Sequence, residues 1–181
     1  SASAAAGTNV QTYTFNQSTA QKWTLLETEK TLYSIMGKTN VSVSQMVKFY
    51  KNKATVSYPY SNVSEAPTIE KFCQIYKEES EVEGVKAEVA FAQAMMETGF
   101  LKFGGDVKKD QYNFAGIGAI GGGSSGAKFD SIRIGIRAHV QHLKAYASKE
   151  ALKQPVVDPR FQYVKRGSAE YVQWLGQKEN P

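Results

Sequence analysis

"FAQAMMETGF" (91–100) sets a carboxylate at the end of an apolar helix. From Val89 to Met96 the residues are apolar or small, Gln93 excepted; Glu97 follows, and Gly99 comes two residues later. Apolar and small residues nearly all round a helix, here over roughly 86–98, mark one buried by its neighbours. The glycine marks its end. A central buried helix needs other elements to cover it, so this stretch decides the fold class: mainly α (α+β), around one core.

The flanking sequence supplies the covering helices. In "SVSQMVKFYKNKA" (42–54), Val43, Met46, Val47 and Tyr50 recur at i, i+3, i+4, i+7, and Ser42 is a cap. Thr68 heads a second helix with Ile69, Phe72, Cys73 and Tyr76 on one face; Glu78, Glu79, Glu81 and Glu83 crowd its last turns, and Gly84 breaks it. "SIRIGIRAHVQHLKAYAS" (131–148) turns Ile132, Ile136, Val140, Leu143 and Tyr146 inward. A last helix is expected over 168–176, and a short one around 18–33 inside an N-terminal arm, 1–34. Between the buried helix and the fourth, residues 102–130 are rich in turn formers, predicting loops or a small β-hairpin lining a cleft. The organisation is then the arm and one domain over 35–181, with 35–67 as a helical extension of a core spanning 68–176.

Composition narrows the function classes. With 181 residues, 41% apolar and 22% charged, the chain suits one globular domain and not a disordered one. No apolar run approaches the roughly 20 residues that cross a bilayer, so membrane insertion is not expected. "SASAAAGTNV" has no basic start and no long apolar stretch, unlike an intact signal peptide. The single Cys73 excludes an intrachain disulfide and reads as a buried small hydrophobe. Residues 128–166 hold nine Lys/Arg against three acids, a basic segment suited either to solubility or to an anionic partner such as nucleic acid, a membrane surface or an anionic cell-wall polymer.

Glu97 is the chemical question. Desolvation and the negative end of the helix dipole both disfavour its charge and raise its pKa. A Glu kept protonated near neutral pH can give its proton to a leaving-group oxygen, the general-acid step of glycoside hydrolysis. Alternatively it turns to solvent or pairs with Lys102 or Arg137. Downstream, Gly116-Ile117-Gly118-Ala119-Ile120-Gly121 matches G-x-G-x-x-G, but neither a preceding apolar strand nor a βαβ unit accompanies it, so no nucleotide cofactor is inferred. A turn that exposes main-chain groups to an extended ligand fits better. His139 and His142 are spaced as two metal ligands would be, but no Cys or acidic cluster completes a site, so no metal is expected. Trp174, Tyr171 and Phe161 read as packing residues.

"AQAMMETGF" followed by "NFAGIG" (113–118) resembles the signature of bacterial glucosaminidase domains, the lysozyme-like endo-β-N-acetylglucosaminidases of peptidoglycan hydrolases and autolysins. "FGGDV", "IRAHVQHLKAY", "DPRF" and "RGSAEYV" are similar to the clostridial-type branch, and the match covers about 68–175. The resemblance implies Glu97 as general acid, supported by Thr98, with Asn113, Phe114, Ala115, Gly116 and Ile117 along the floor that holds an N-acetyl sugar. Phe100, Tyr112 and Tyr163 join the expected sugar contacts. For the second carboxylate Asp106 ranks first and Asp130 second, with Asp110 in the same segment; the substrate's own acetamido group can replace any of them. Many members carry Tyr-x-x-Asp-Pro near the cleft; here Asp158-Pro159 is present but Pro155 stands where the tyrosine would. Tyr163, Tyr112 or Tyr146 is the expected substitute.

The expected function is a secreted, wall-associated, monomeric hydrolase that needs no cofactor and acts on peptidoglycan glycan strands, with anionic wall polymers rather than nucleic acid near its basic segment. A muramidase or lytic transglycosylase on the same fold, and a non-catalytic glycan-binding module, are the alternatives.

Overall fold

The structure is a computed structural model that describes residues 10–15, 23–28, 32–119 and 121–176. Two antiparallel strands, β1 (Val10–Phe15) and β2 (Trp23–Thr28), precede four helices: α1 (Val43–Lys53), α2 (Ile69–Glu83), α3 (Ala87–Thr98) and α4 (Ile132–Ala147). The protein is mainly α, as its periodicity predicts.

Each helix begins and ends where a local interaction makes it do so. Ser42 and Gln45 form a reciprocal capping box on α1: the Ser42 hydroxyl accepts from the Gln45 amide at 3.1 Å, and the Gln45 side chain accepts from Ser42 N–H at 2.9 Å. Thr68 caps α2, and Gly84 ends it in the left-handed region at φ +71°. The first turn of α3 borrows its acceptor from a distant segment, the Thr39 hydroxyl, which takes the Ala87 N–H at 3.0 Å. Ser131 caps α4, and the two oxygens of Glu65 accept from Ile132 and Arg133 N–H at 2.8 Å each. A carboxylate at a helix N-terminus suits both the free N–H groups and the dipole.

Buried Ala87, Val89, Ala90, Phe91, Ala92, Ala94 and Met95 put α3 at the centre. Around it interlock the fully buried rings of Tyr60, Phe72, Tyr76, Phe91 and Phe114, with Phe72 edge-on to Phe114 at 5.1 Å and Tyr76 edge-on to Phe91 at 5.7 Å. Burying each such side chain contributes roughly 1.5–3 kcal/mol. Ile35, Val41 and Met46 belong to the same cluster, and so does Val172 near the other end. Bridges Met36–Val85 and Ser34–Tyr171 tie both flanks onto it. Cys73 is a buried member of this core, as expected.

Four expectations change. The short helix around 18–33 gives way to β2, whose Thr-, Trp- and Leu-containing sequence favours extended backbone; the rest of that range lies outside the described residues. The helix over 168–176 reduces to one 3-10 turn, Val172–Trp174, because the backbone of this short segment is already engaged elsewhere: Val172 N–H donates to Tyr33 C=O and Ile35 N–H to Glu170 C=O. Between 102 and 130 the described residues contain no hairpin, only loops and a 3-10 turn at Lys109–Gln111. Finally, the basic segment is partly internal. Arg133 and Arg137 pair with Glu79 at 2.9 and 2.7 Å, Arg133 also reaches Glu78, and the fully buried Lys144 pairs with the fully buried Glu83 at 3.0 Å. The acids that end α2 are the counter-ions of α4.

Candidate active site

Glu97 is the penultimate residue of α3, and with Met96 it leaves the buried helix on an exposed side. The chain then turns sharply. Gly99, Phe100 and Leu101 take φ of +59°, +55° and +63°, and Phe103 takes +56°. Left-handed backbone costs a residue with a side chain roughly 1–2 kcal/mol. Leu101, 1% exposed, offsets that by burial, and Phe100 lies edge-on to Phe49 at 5.2 Å. Hydrogen bonds hold the turn: Phe100 N–H to Met95 C=O at 2.7 Å, Phe103 N–H to Thr98 C=O at 2.8 Å, and Leu101 N–H to the Thr98 hydroxyl at 3.0 Å. That hydroxyl itself donates to Ala94 C=O at 2.8 Å. Thr98 therefore shapes the turn that follows Glu97 and has its hydroxyl engaged in doing so.

The turn brings 102–107 round to form one wall of a cleft of about 460 Å³, lined by Glu97, Thr98, Gly99, Lys102, Phe103, Gly104, Gly105, Asp106, Val107, Asn113, Gly116 and Ala119. Its floor is the "NFAGIG" loop, which amide side chains pin. Asn113, 1% exposed, accepts from Ile117 N–H at 2.9 Å and donates to Ile117 and Ala127 C=O at 2.9 and 3.1 Å. Gln111 accepts from Lys108 N–H and donates to Ser125 and Ala127 C=O. Below the loop, α4 presents Gly135, where a β-carbon would fall 1.8 Å from Tyr112 C=O, so only glycine admits so close an approach.

Within this cleft Glu97 stands apart electrically. It makes neither an ion pair nor a side-chain hydrogen bond among the described residues; Arg137 is held by Glu79, and Lys102 shares the cleft without pairing to Glu97. Its side chain has solvent access through the cleft mouth, but protein on the other sides displaces much of its water, and that desolvation raises its pKa above the ordinary carboxylate value. The negative end of α3 acts in the same direction. Gly116, in the left-handed region at φ +63°, faces it: a β-carbon there would stand 3.7 Å from Glu97 Oε2. The arrangement offers a proton-donating carboxyl over an open floor with exposed main chain.

Of the residues expected from sequence, Glu97, Thr98, Asp106, Asn113 and Gly116 line the cleft, while Phe100, Tyr112, Phe114, Ile117, Tyr163 and Asp130 do not. Phe114 and Ile117 point down, into the aromatic core and into a small cluster with Phe129 and Ala138. Tyr112 is wedged against Tyr60 at 5.7 Å; Tyr163 is exposed, under the Arg160 guanidinium at 4.6 Å. Asp130 is an exposed residue just ahead of the α4 cap. Sequence reasoning missed Lys102 and the pinning role of Gln111. Lys102 was legible only as a possible partner of Glu97, and Gln111 carried no signal, since its acceptors lie fourteen and more residues away. His139 and His142 do not converge: His139 bonds Tyr76 and Gln93, and His142 bonds Asp158 at 2.8 Å.

A family model described as mannosyl-glycoprotein endo-β-N-acetylglucosaminidase (Glucosaminidase) matches residues 73–179. An uncharacterized protein of Borreliella burgdorferi is 55% identical over 94 residues, a stretch covering 52% of this chain and 46% of that protein, so the match spans about half of each. No solved structure matches.

Proposed function

Because the chain belongs to the glucosaminidase family, whose model covers more than half of it, we propose that it hydrolyses peptidoglycan glycan strands at the β-1,4 bond on the reducing side of N-acetylglucosamine, next to N-acetylmuramic acid. The observation that carries this reading is the unpaired, desolvated Glu97 at the mouth of the α3 helix end, opposite a floor glycine.

In this reading the Glu97 carboxyl gives its proton to the glycosidic oxygen as the C–O bond breaks, and positive charge develops at the anomeric carbon. The charge is met in one of two ways. Asp106, which lines the same cleft on the 102–107 wall, activates the water or stabilises the cation; or the sugar's 2-acetamido oxygen attacks the anomeric carbon and water opens the resulting ring. Lys102 and the exposed lysines of 128–166 suit a substrate carrying carboxylates and a surface rich in anionic polymer. The protein is taken to work outside the cell, on the wall, as a monomer.

The test is digestion of purified wall glycan by wild type and by Glu97→Gln, with analysis of the new end groups. A reducing N-acetylglucosamine end from the wild type and none from the variant is the expected result. A reducing muramic acid or a 1,6-anhydro end would make the protein a muramidase or lytic transglycosylase instead. Binding without any cleavage by the wild type would leave it a glycan-binding module.

A further inference from the structure

A buried hydrogen-bonded chain runs under the exposed side of α3 and ends one turn before Glu97. Tyr76 is fully buried, and its hydroxyl has one partner among the described residues, Nδ1 of His139 at 2.9 Å. A buried hydroxyl proton left unpaired is costly, so it is donated to that nitrogen. His139 is itself wholly buried. Burial, helped by the neighbouring His142, lowers its pKa to about 3, so the ring is neutral. A neutral imidazole that accepts at Nδ1 carries its proton on Nε2, and Nε2 lies 2.6 Å from Gln93 Oε1. Gln93 must therefore present its carbonyl to His139 and turn its NH₂ group away.

That NH₂ group has no partner among the described residues, yet it is not one of the buried polar atoms left unsatisfied, so it reaches water. Gln93 is half-buried and sits at i−4 from Glu97, and residues at this spacing are neighbours on one helix face. Two fixed donor hydrogens thus stand beside the unpaired carboxyl. A flexible surface glutamine would spread its amide over many rotamers; here two buried aromatic residues select one orientation. Such pre-organised donors recognise oxygen acceptors, which a sugar chain supplies as hydroxyls and acetamido carbonyls.

We propose that Gln93 is a substrate-binding residue, donating from Nε2 to a hydroxyl or acetamido oxygen of the sugar that lies past Glu97 along α3, with His139 and Tyr76 as positioning residues that hold its amide. The proposal rests on the glycan-cleaving reading above.

The experiment titrates the tetramer of β-1,4-linked N-acetylglucosamine into the Glu97→Gln protein while following ¹⁵N–¹H resonances. The side-chain amide of Gln93 is identified by its disappearance in Gln93→Glu. That substitution keeps an acceptor for His139 and removes only the donors. The Gln93 amide is expected to shift and saturate together with the backbone amide of Gly116. In the otherwise wild-type enzyme, Gln93→Glu lowers kcat/KM on wall glycan at least tenfold, mainly through KM, with Tm held. A shift at Gly116 without one at Gln93, or wild-type kcat/KM in Gln93→Glu, overturns the proposal and leaves the glycosidase reading standing. Tetramer that perturbs neither group, together with a wild type that cleaves no wall glycan, overturns that reading and this proposal with it.

Discussion

A β-carbon on residue 116 would stand 3.7 Å from Oε2 of Glu97, so the floor glycine and the helix-end carboxyl face one another at contact distance. Whatever residue 116 carries sets how closely a ligand can lie beside the carboxyl. Gly116→Ala also forces a side chain onto backbone at φ +63°, a strain of about 1 kcal/mol. We expect a modest fall in Tm but at least a tenfold fall in kcat/KM on wall glycan, and Gly116→Val to be worse in both. Equal losses in an alanine placed at the similarly left-handed but distant Gly176 would show that strain alone is responsible.

Glu97→Gln tests the raised pKa directly. Loss of a general acid is expected to cost about 10²–10⁴ in kcat. The sign on stability is fixed by the direction of the shift. A carboxyl whose folded pKa lies above its unfolded value contributes stability below the unfolded pKa and loses it as pH rises through the folded one. Gln mimics the protonated form, so the variant is expected to match or exceed wild-type Tm at pH 7, with the difference vanishing under acid conditions. The wild-type rate should correspondingly fall as pH rises past a point above the ordinary glutamate range. A variant less stable than wild type at pH 7 would mean that Glu97 has a structural partner.

Asp106→Asn separates the two ways of meeting the anomeric charge. If Asp106 handles the water, kcat is expected to fall about a hundredfold or more; if the substrate's acetamido group acts, the variant keeps most of its activity and a thiazoline analogue of N-acetylglucosamine inhibits it. Asp106 is exposed, so neither outcome is expected to move Tm.

The four helices were readable because their signals are local: Ser42, Thr68 and Ser131 cap, Gly84 and Gly99 terminate, and the apolar residues between them repeat at helical spacing. Glu97 was readable for the same reason, as a polar residue out of place in an apolar run. The cleft was less so. The motif "NFAGIG" looks like a continuous floor, but its residues alternate in depth: Phe114 and Ile117 pack downward, Asn113 ties the loop to itself, and Gly116 faces Glu97. The left-handed turn at 99–103 runs against what Phe and Leu prefer, and only the burial of Leu101 and the hydroxyl of Thr98 make it tenable. The pairing of α2 acids with α4 bases was invisible because neither helix reveals the other's register.

That pairing has a sharp energetic consequence at Lys144 and Glu83, both fully buried. Glu83 also accepts from Lys153 and Gln154 N–H, so it anchors the segment after α4. Lys144→Met strands the carboxylate without its cation and is expected to cost about 3–5 kcal/mol. Lys144→Met with Glu83→Gln should recover part of this, because Gln can still accept from the backbone and carries no charge. Chemical denaturation of both proteins checks it; equal stability of the single and double variants would show that the charge was not what made the single costly.

His139 makes a separate prediction about pH. Its pKa, about 3 when folded, lies below the unfolded histidine value of about 6.5. Between those two values the unfolded chain binds a proton that the folded one refuses, so stability rises with pH across the window and is lost as pH falls through it. The slope approaches ~1.4 kcal/mol per pH unit for one proton. Glu97 opposes this, since its raised pKa gives stability that increases toward acid, but only from the ordinary glutamate range upward. Replacing His139 by Gln, which can also donate to Gln93 and accept from Tyr76, should flatten the dependence between pH 4 and 6 and leave the variant closest to wild type at the acid end. Denaturant midpoints measured across that range decide it: parallel curves for the two proteins would mean that the histidine is protonated within the fold, and the neutral chain from Tyr76 to Gln93 would then be wrong.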